Sequence, residues 1–210
     1  MYVQDLFAGG SEAPTKTLQW AMAELMQNPS VMARAQAEVR GSFMAKMKVT
    51  EEGLGDLSYM RCVIKETLRL HSPEPLLLPR ECQKQCRILG YDVPKGAMVV
   101  VNAWAIARDP KCWDEPEAFV PDRFMGSTRD FKGNHFEFIP FGAGRRICPG
   151  KEFGLANVEL ALANLLFYFD WSLPDGILPK QMDMTQARGV TGRKRMDLWL
   201  RPTLRLDLPR

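Results

Sequence analysis

The feature that most constrains this chain is the decapeptide Phe141-Gly142-Ala143-Gly144-Arg145-Arg146-Ile147-Cys148-Pro149-Gly150, which runs straight into a helical pattern. The glycines allow tight turns and close approach of the backbone to a flat ligand. Cys148 falls just before the helix start over 152–169, where Leu155, Val158, Leu162, Leu165 and Leu166 recur in register. There the helix dipole and free amide groups stabilise a thiolate. Pro149, read at the first helical turn, donates no amide hydrogen and leaves the sulfur a shaped, partly protected pocket. Arg146, two residues ahead of the sulfur, is placed to pair with an anionic group of a ligand. On these residues alone, two readings stand: a reactive or ligating thiolate, or a buried structural cysteine in a glycine-rich turn.

Composition narrows the surroundings. The cysteines, at 62, 82, 86, 112 and 148, are five in number and irregularly spaced. That is a poor disulfide framework, and reduced thiols are the simpler reading. Cys82 and Cys86 could begin a metal site, but no second pair follows at zinc-ribbon spacing, and His71 precedes them. The net charge of +3, with both signs interspersed, argues against nucleic acid. No apolar run approaches the roughly 18 residues of a membrane span, and no basic start leads into an apolar stretch. A length of 210 residues allows one large domain or a piece of one. The opening, Tyr2-Val3-Gln4-Asp5-Leu6-Phe7-Ala8, already reads as the middle of a helix, which leads us to expect a truncated chain.

Residues 2–28 read as one helix ended by Asn28-Pro29, with Leu18, Ala21, Met22 and Leu25 on its apolar side. Ser30 is the expected cap of a helix over 31–41, and Asp56 that of a helix over 57–70, broken by His71-Ser72-Pro73. Short β-type runs follow at 76–78, 87–89 and 98–101, with a turn at Val93-Pro94-Lys95-Gly96. A short helix at 103–107 leads into a Pro-rich irregular segment over 109–140, long enough to suggest function. The tail carries strand-like pieces at 197–200 and 204–206. The fold class expected is mainly α (α+β), with a small β region.

The decapeptide resembles the cysteine-loop signature of the cytochrome P450 family, Phe-x-x-Gly-x-Arg-x-Cys-x-Gly, at every specified position. Glu66-Thr67-Leu68-Arg69 matches the family's Glu-x-x-Arg helix. Phe119-Val120-Pro121-Asp122-Arg123-Phe124 resembles its Pro-Glu-Arg-Phe segment, with Asp for Glu. The residues also make independent sense. Glu66 and Arg69, three apart, share a helix face, and if buried they need further hydrogen bonds, for which Arg123 is the natural third member. The alternative is an exposed pair of little energetic value.

The resemblance implies Cys148 as thiolate ligand of a haem iron, cradled by Phe141, Gly142 and Gly150, with Arg146 and Arg80 holding the propionates. His135 could assist, or be an ordinary loop histidine. Ala8-Gly9-Gly10-Ser11-Glu12 resembles the groove of the distal helix. There Gly9 and Gly10 open the backbone ladder, and Glu12 and Ser11 supply protons for oxygen activation. The family usually places Thr after the acid; here stand Ala13 and Pro14, and Thr15 is rotated about 200° away. Pro14 opposes the Gly10 carbonyl, which would widen the groove; the other reading of Glu12 is a solvated helix residue. Segments 74–78 and 187–191 would line the substrate pocket.

The chain is thus expected to be the C-terminal haem-binding part, residues 1–210, of a single P450 domain whose N-terminal half is absent. Glu24-Leu25-Met26-Gln27-Asn28-Pro29 and Phe153-Gly154-Leu155-Ala156-Asn157-Val158-Glu159-Leu160-Ala161 look like a plant microsomal member. That kinship implies a monooxygenase acting with O2 on a small apolar metabolite such as a terpenoid. It implies NADPH electrons arriving through a flavoprotein reductase docked near Arg145 and Lys151. It also implies the cytosolic face of the endoplasmic reticulum membrane, with attachment only through the missing anchor. A truncated non-catalytic haem-binding fragment and a haem-thiolate isomerase or dehydratase remain the alternatives. The distal helix should run through the centre of the fold and here present a bare apolar face, so the isolated chain is expected to bind haem weakly.

Overall fold

The computed structural model describes residues 2–174 and 176–205. Helix α1 spans Tyr2–Gln27. Its sequence pattern carries through: Ala21, Met22 and Leu25 are buried, and Leu18 packs at the edge of the same cluster. The helix passes through Pro14 without a break, and the proline ring lies 3.9 Å from where a β-carbon on Gly154 would sit. Helix α2 spans Pro29–Phe43, starting earlier than Ser30 predicts. Pro29 occupies the first helical position, where a missing N–H costs nothing. Asn28 stands at the cap, but its amide turns back to the Glu24 carbonyl at 2.9 Å.

The polar linker after α2 is wound into two short 3-10 turns, Met44–Lys46 and Glu51–Asp56. Helix α3 then spans Ser58–Leu70, with Leu57 rather than Asp56 at its cap position. A leucine cannot cap, and the free amides go instead to Glu38 of α2. Its Oε1 accepts from Tyr59 N and its Oε2 from Met60 N, both at 2.8 Å. Arg40, also on α2, donates to the carbonyls of Leu166 and Phe169 and to Asp170, closing the C-terminal end of helix α5, Lys151–Tyr168. Helices α1, α2, α3 and α5 enclose a core in which Leu25, Val39, Met60, Leu162 and Leu166 are fully buried.

Around this core lie strands β1 (Arg80–Glu81), β2 (Cys86–Ile88), β3 (Tyr91–Val93) and β4 (Met98–Val99), then the short helix α4 (Ala103–Ile106). The pairs are β1 with β4 and β2 with β3, each antiparallel. The run at 76–78, expected as a strand, is instead a turn in which Leu77 N donates to the Glu74 carbonyl and Leu77 takes a φ of 52°. Three prolines, 73, 75 and 79, restrict that stretch and deny it ladder donors. In the tail the strand is not 197–200 but β6, Arg201–Leu204, paired antiparallel with β5, Phe169–Ser172. Leu198 and Leu200 pack on the core without joining a ladder; Leu206 lies outside the described residues. The helix-rich α+β class holds, with only two-stranded sheets among the described residues.

Segment 109–140 is irregular apart from the 3-10 turn Pro121–Phe124. An aromatic cluster holds it: Phe124 lies 5.8 Å from Trp113 and 5.1 Å from Phe138, ring centre to ring centre. No helix among the described residues is long and apolar enough to cross a membrane. Phe7 on α1 and Phe153 on α5 stand exposed, at 79% and 64% of their accessible surface.

Candidate functional site

The sequence around Arg69 puts a charged helix face against a segment that has no regular ladder of its own. Arg69 is fully buried, and Glu66 holds it from one turn away: Arg69 Nε donates to Glu66 Oε2 and Nη2 to Oε1, each at 2.8 Å. The remaining donors reach the carbonyls of Ala107 and Pro116, both at 2.7 Å, and of Ala118 at 3.0 Å. Glu66 Oε1 also accepts from Val120 N at 2.8 Å and from Arg123 Nε at 3.0 Å. Arg123 continues to the carbonyls of Asp114 and Glu115. The structure therefore brings Glu66, Arg69 and Arg123 together in the interior. A buried ion pair is tolerable only when its remaining hydrogen-bonding capacity is filled, as it is here. Trp113, which the sequence did not single out, packs its ring 5.2 Å from the Arg69 guanidinium. An aromatic inside a Pro-rich segment was the only signal for it.

This network fixes the path of the chain into the cysteine loop. Phe141 packs edge-on against Phe131, 5.4 Å between ring centres. Gly142 and Gly144 take φ values of 73° and 69°, conformations that suit glycine, and a short 3-10 turn, Gly144–Arg146, follows. Cys148 N donates to the Phe141 carbonyl at 2.9 Å, closing the loop on itself. The Cys148 thiol is free and exposed. Gly150, not Pro149, stands at the cap of α5. Pro149 therefore lies one residue outside the helix rather than in its first turn, and Cys148 is one further out. Glycine at the cap leaves space: a β-carbon on Gly144 or Gly150 would meet nothing within 4 Å.

Arg80 reaches this loop from β1, its Nη2 donating to the Arg146 carbonyl at 3.3 Å. Arg80 and Arg146, 66 residues apart in sequence, thus meet at one edge of the loop, the guanidinium of the first on the carbonyl of the second. His135 lies 3.8 Å from Glu137, which also faces Arg129 at 3.4 Å.

The α1 groove lies alongside α5. A β-carbon on Gly10 would be 3.5 Å from the Phe153 ring, whereas Gly9 faces open space. The hydroxyls of this stretch are turned inward to the helix: Ser11 donates to the Phe7 carbonyl at 2.7 Å, and Thr15 to the Ser11 carbonyl at 2.8 Å. Glu12 pairs with Lys16 at 2.6 Å, an i,i+4 partner that the sequence offered and our reading passed over. Glu74 shares their field: burial raises its carboxyl above the usual range and Glu12 adds to this, while Lys16 opposes. The two segments expected to line a pocket adjoin, since Gly192 N donates to the Pro73 carbonyl at 2.8 Å. Gly192 must be glycine there, because a β-carbon would fall 2.3 Å from the Ser72 carbonyl oxygen.

The profile of the cytochrome P450 family matches residues 1–198. Desmethyl-deoxy-podophyllotoxin synthase of Sinopodophyllum hexandrum is 53% identical over 208 residues, covering 99% of this chain and 41% of that protein. 5-epiaristolochene 1,3-dihydroxylase of Nicotiana tabacum is 53% identical over 201 residues, covering 96% and 40%. A zebrafish cytochrome P450 structure with abiraterone superposes with a TM-score of 0.85 at 31% identity, covering 96% of this chain and 46% of that one. The chain spans about two fifths of the length of the curated relatives it matches.

Proposed function

The chain belongs to the cytochrome P450 family, and we propose that it carries the haem-thiolate site of a monooxygenase acting on a small apolar plant metabolite. The single observation that carries the reading is the free, exposed Cys148 thiol on a self-closed glycine loop, with Arg80 and Arg146 meeting at its edge. The donor set fits iron-protoporphyrin IX: one sulfur for the iron, two guanidiniums for two propionates, and open space over Gly144 and Gly150 for a planar ring. Such a haem, when bound, supplies the activation of dioxygen. What the residues do is distinct from that chemistry. Cys148 ligates, Arg80 and Arg146 orient, and Phe141 and Gly142 shape the loop. The Glu66–Arg69–Arg123 network keeps the long segment from shifting beneath it. We place Gly9 and Gly10 at the distal groove and Ser11 and Glu12 as its proton-handling side chains.

The relatives named as synthase and dihydroxylase of plant compounds support the substrate class. NADPH electrons would enter through a flavoprotein reductase at the face that displays Arg145, with the protein on the cytosolic side of the endoplasmic reticulum membrane.

The test is the carbon-monoxide difference spectrum of the reduced, haem-loaded chain. The thiolate-type band is expected, and Cys148→Ser should abolish it; a band that survives the substitution overturns the ligand assignment. One observation favours a second reading. Ala13 follows the acid, Glu12 is tied to Lys16, and the Ser11 hydroxyl is committed to the Phe7 carbonyl. A haem-thiolate isomerase or dehydratase, which needs no dioxygen, would tolerate this. NADPH-dependent oxygen consumption supports the monooxygenase; turnover of a hydroperoxide without it supports the alternative.

A further inference from the structure

We infer that Cys82 and Cys86 form an oxidant-reactive dithiol that hydrogen peroxide converts to an intrachain disulfide. The two sulfurs lie 3.7 Å apart across the three residues Gln83, Lys84 and Gln85. Each cysteine is anchored by backbone pairing that does not depend on the other. Cys82 N donates to the Ala97 carbonyl at 2.9 Å and the Cys82 carbonyl accepts from Gly96 N at 2.8 Å. Cys86 opens β2 and pairs with Val93 of β3. The Cys82 sulfur turns inward over the connecting turn, donating to the Lys84 carbonyl at 3.0 Å. The sulfurs are therefore held as neighbours by the β1–β4 pairing and the β2–β3 hairpin, a short approach from the ~2 Å of a bond.

Exposure decides the order of events. Cys86 is open to solvent and Cys82 is half-buried, so peroxide meets Cys86 first. A metal is the competing use of such a pair, but among the described residues no group of three or more His, Cys, Asp or Glu could hold an ion. The Cys86 thiol is pushed up by its hydrogen bond with Cys82, so the attacking thiolate forms at mildly alkaline pH. Cys62 provides an internal contrast. It is buried, burial pushes its thiol up, and its sulfur contacts Met125 Sδ at 3.4 Å.

The chemistry balances in two steps. The Cys86 thiolate attacks one oxygen of hydrogen peroxide. The O–O bond breaks, and the departing hydroxide takes a proton to become water, leaving Cys86 as a sulfenic acid. The Cys82 sulfur then attacks the Cys86 sulfur, the S–O bond breaks, and the hydroxide takes the Cys82 proton to form a second water. Two thiols are oxidised by two electrons, and one peroxide is reduced to two waters. The new bond ties the β1–β4 pair to the β2–β3 hairpin, two residues along the chain from Arg80.

Trypsin makes the test direct, because it cuts after Arg80, Lys84 and Arg87. The full chain is reduced, freed of reductant, treated with stoichiometric hydrogen peroxide at mildly alkaline pH, alkylated, and digested without reduction. The expected product is residues 81–84 joined to residues 85–87, two hydrogens lighter than the sum and separated by reductant, with Cys62 alkylated. Separate recovery of the two peptides, whether alkylated or over-oxidised, overturns the inference, as does joining of either to Cys112 or Cys148. Cys82→Ser should leave Cys86 as a sulfenic acid that dimedone captures; no capture overturns Cys86 as the attacking thiol. In urea the pair should lose its selectivity over other cysteines, and an unchanged selectivity overturns the role of the β1–β4 pairing and the β2–β3 hairpin.

Discussion

At the scale of single residues, Arg69 is the most demanding position in the molecule. A guanidinium carries five N–H donors, and all five have acceptors here: two on Glu66 and one each on Ala107, Pro116 and Ala118. Lysine offers three donors on a flexible stem and cannot span a carboxylate and three carbonyls at once. Arg69→Lys should therefore lower stability by about 3 kcal/mol, the range for breaking a buried, hydrogen-bonded charge pair. The shift in the urea midpoint measures it, and a loss below roughly 1 kcal/mol would mean that the network is not rigid. The side-chain partners were legible because Glu66 and Arg69 sit at helical spacing and Arg123 falls in a matching segment. The carbonyl partners were not, since a main-chain acceptor leaves no trace in residue identity. Nor was the commitment of Ser11 to the Phe7 carbonyl, which depends on rotamer rather than on spacing.

At the scale of elements, the sequence located helices well and their starts less well. Apolar periodicity is a property of a whole segment and survives small errors, whereas a cap is one residue and has alternatives elsewhere in the fold. Asp56 was the local candidate for α3, yet the acceptor comes from Glu38, some twenty residues earlier on a neighbouring helix. Glu38 also accepts from the Ser58 hydroxyl at 3.1 Å, so its carboxylate satisfies two amides and a hydroxyl at a positively polarised helix end. Glu38→Ala is expected to destabilise by about 2 kcal/mol, by analogy with losing an N-cap and a charged hydrogen bond. Asp56→Ala should change little. Thermal unfolding of the two variants side by side decides which residue caps α3, and a larger loss from Asp56→Ala would reverse the assignment. In the tail, strand-like pieces are expected at 197–200 and 204–206, whereas the pairing with β5 runs over Arg201–Leu204.

At the scale of the whole molecule, three distant parts of the chain close on His71, and no local pattern announces this. The imidazole at the end of α3 stacks on Trp20 of α1, 3.8 Å between ring centres and 4° from parallel. Its Nε2 lies 2.7 Å from Glu24 Oε1, also on α1. Trp20 Nε1 in turn donates to the Gly192 carbonyl at 2.7 Å, 172 residues away, while Lys194 sits 5.0 Å over the Trp20 ring and donates to the Asp183 carbonyl. Burial pushes His71 below its usual value, and Arg108 and Lys194 push the same way, against the lift from Glu24. The consequence for stability has a definite sign. The unfolded chain binds a proton at His71 near the ordinary histidine value, about 6.5, whereas the folded chain resists protonation until the pH is lower. Stability is therefore full above about pH 6.5 and falls as the pH drops from there toward the folded value, by at most about 1.4 kcal/mol per pH unit. His71→Gln keeps a donor for Glu24 but cannot titrate. It should be less stable at pH 7, having lost the stack on Trp20, and its stability should decline more gently between about pH 6.5 and pH 5. His135, the other histidine, is present in both proteins and cancels. Urea denaturation at a series of pH values provides the comparison. Parallel curves for the two proteins, or a wild-type chain that gains stability as the pH falls through this window, would show that the closure at His71 does not depend on a neutral imidazole.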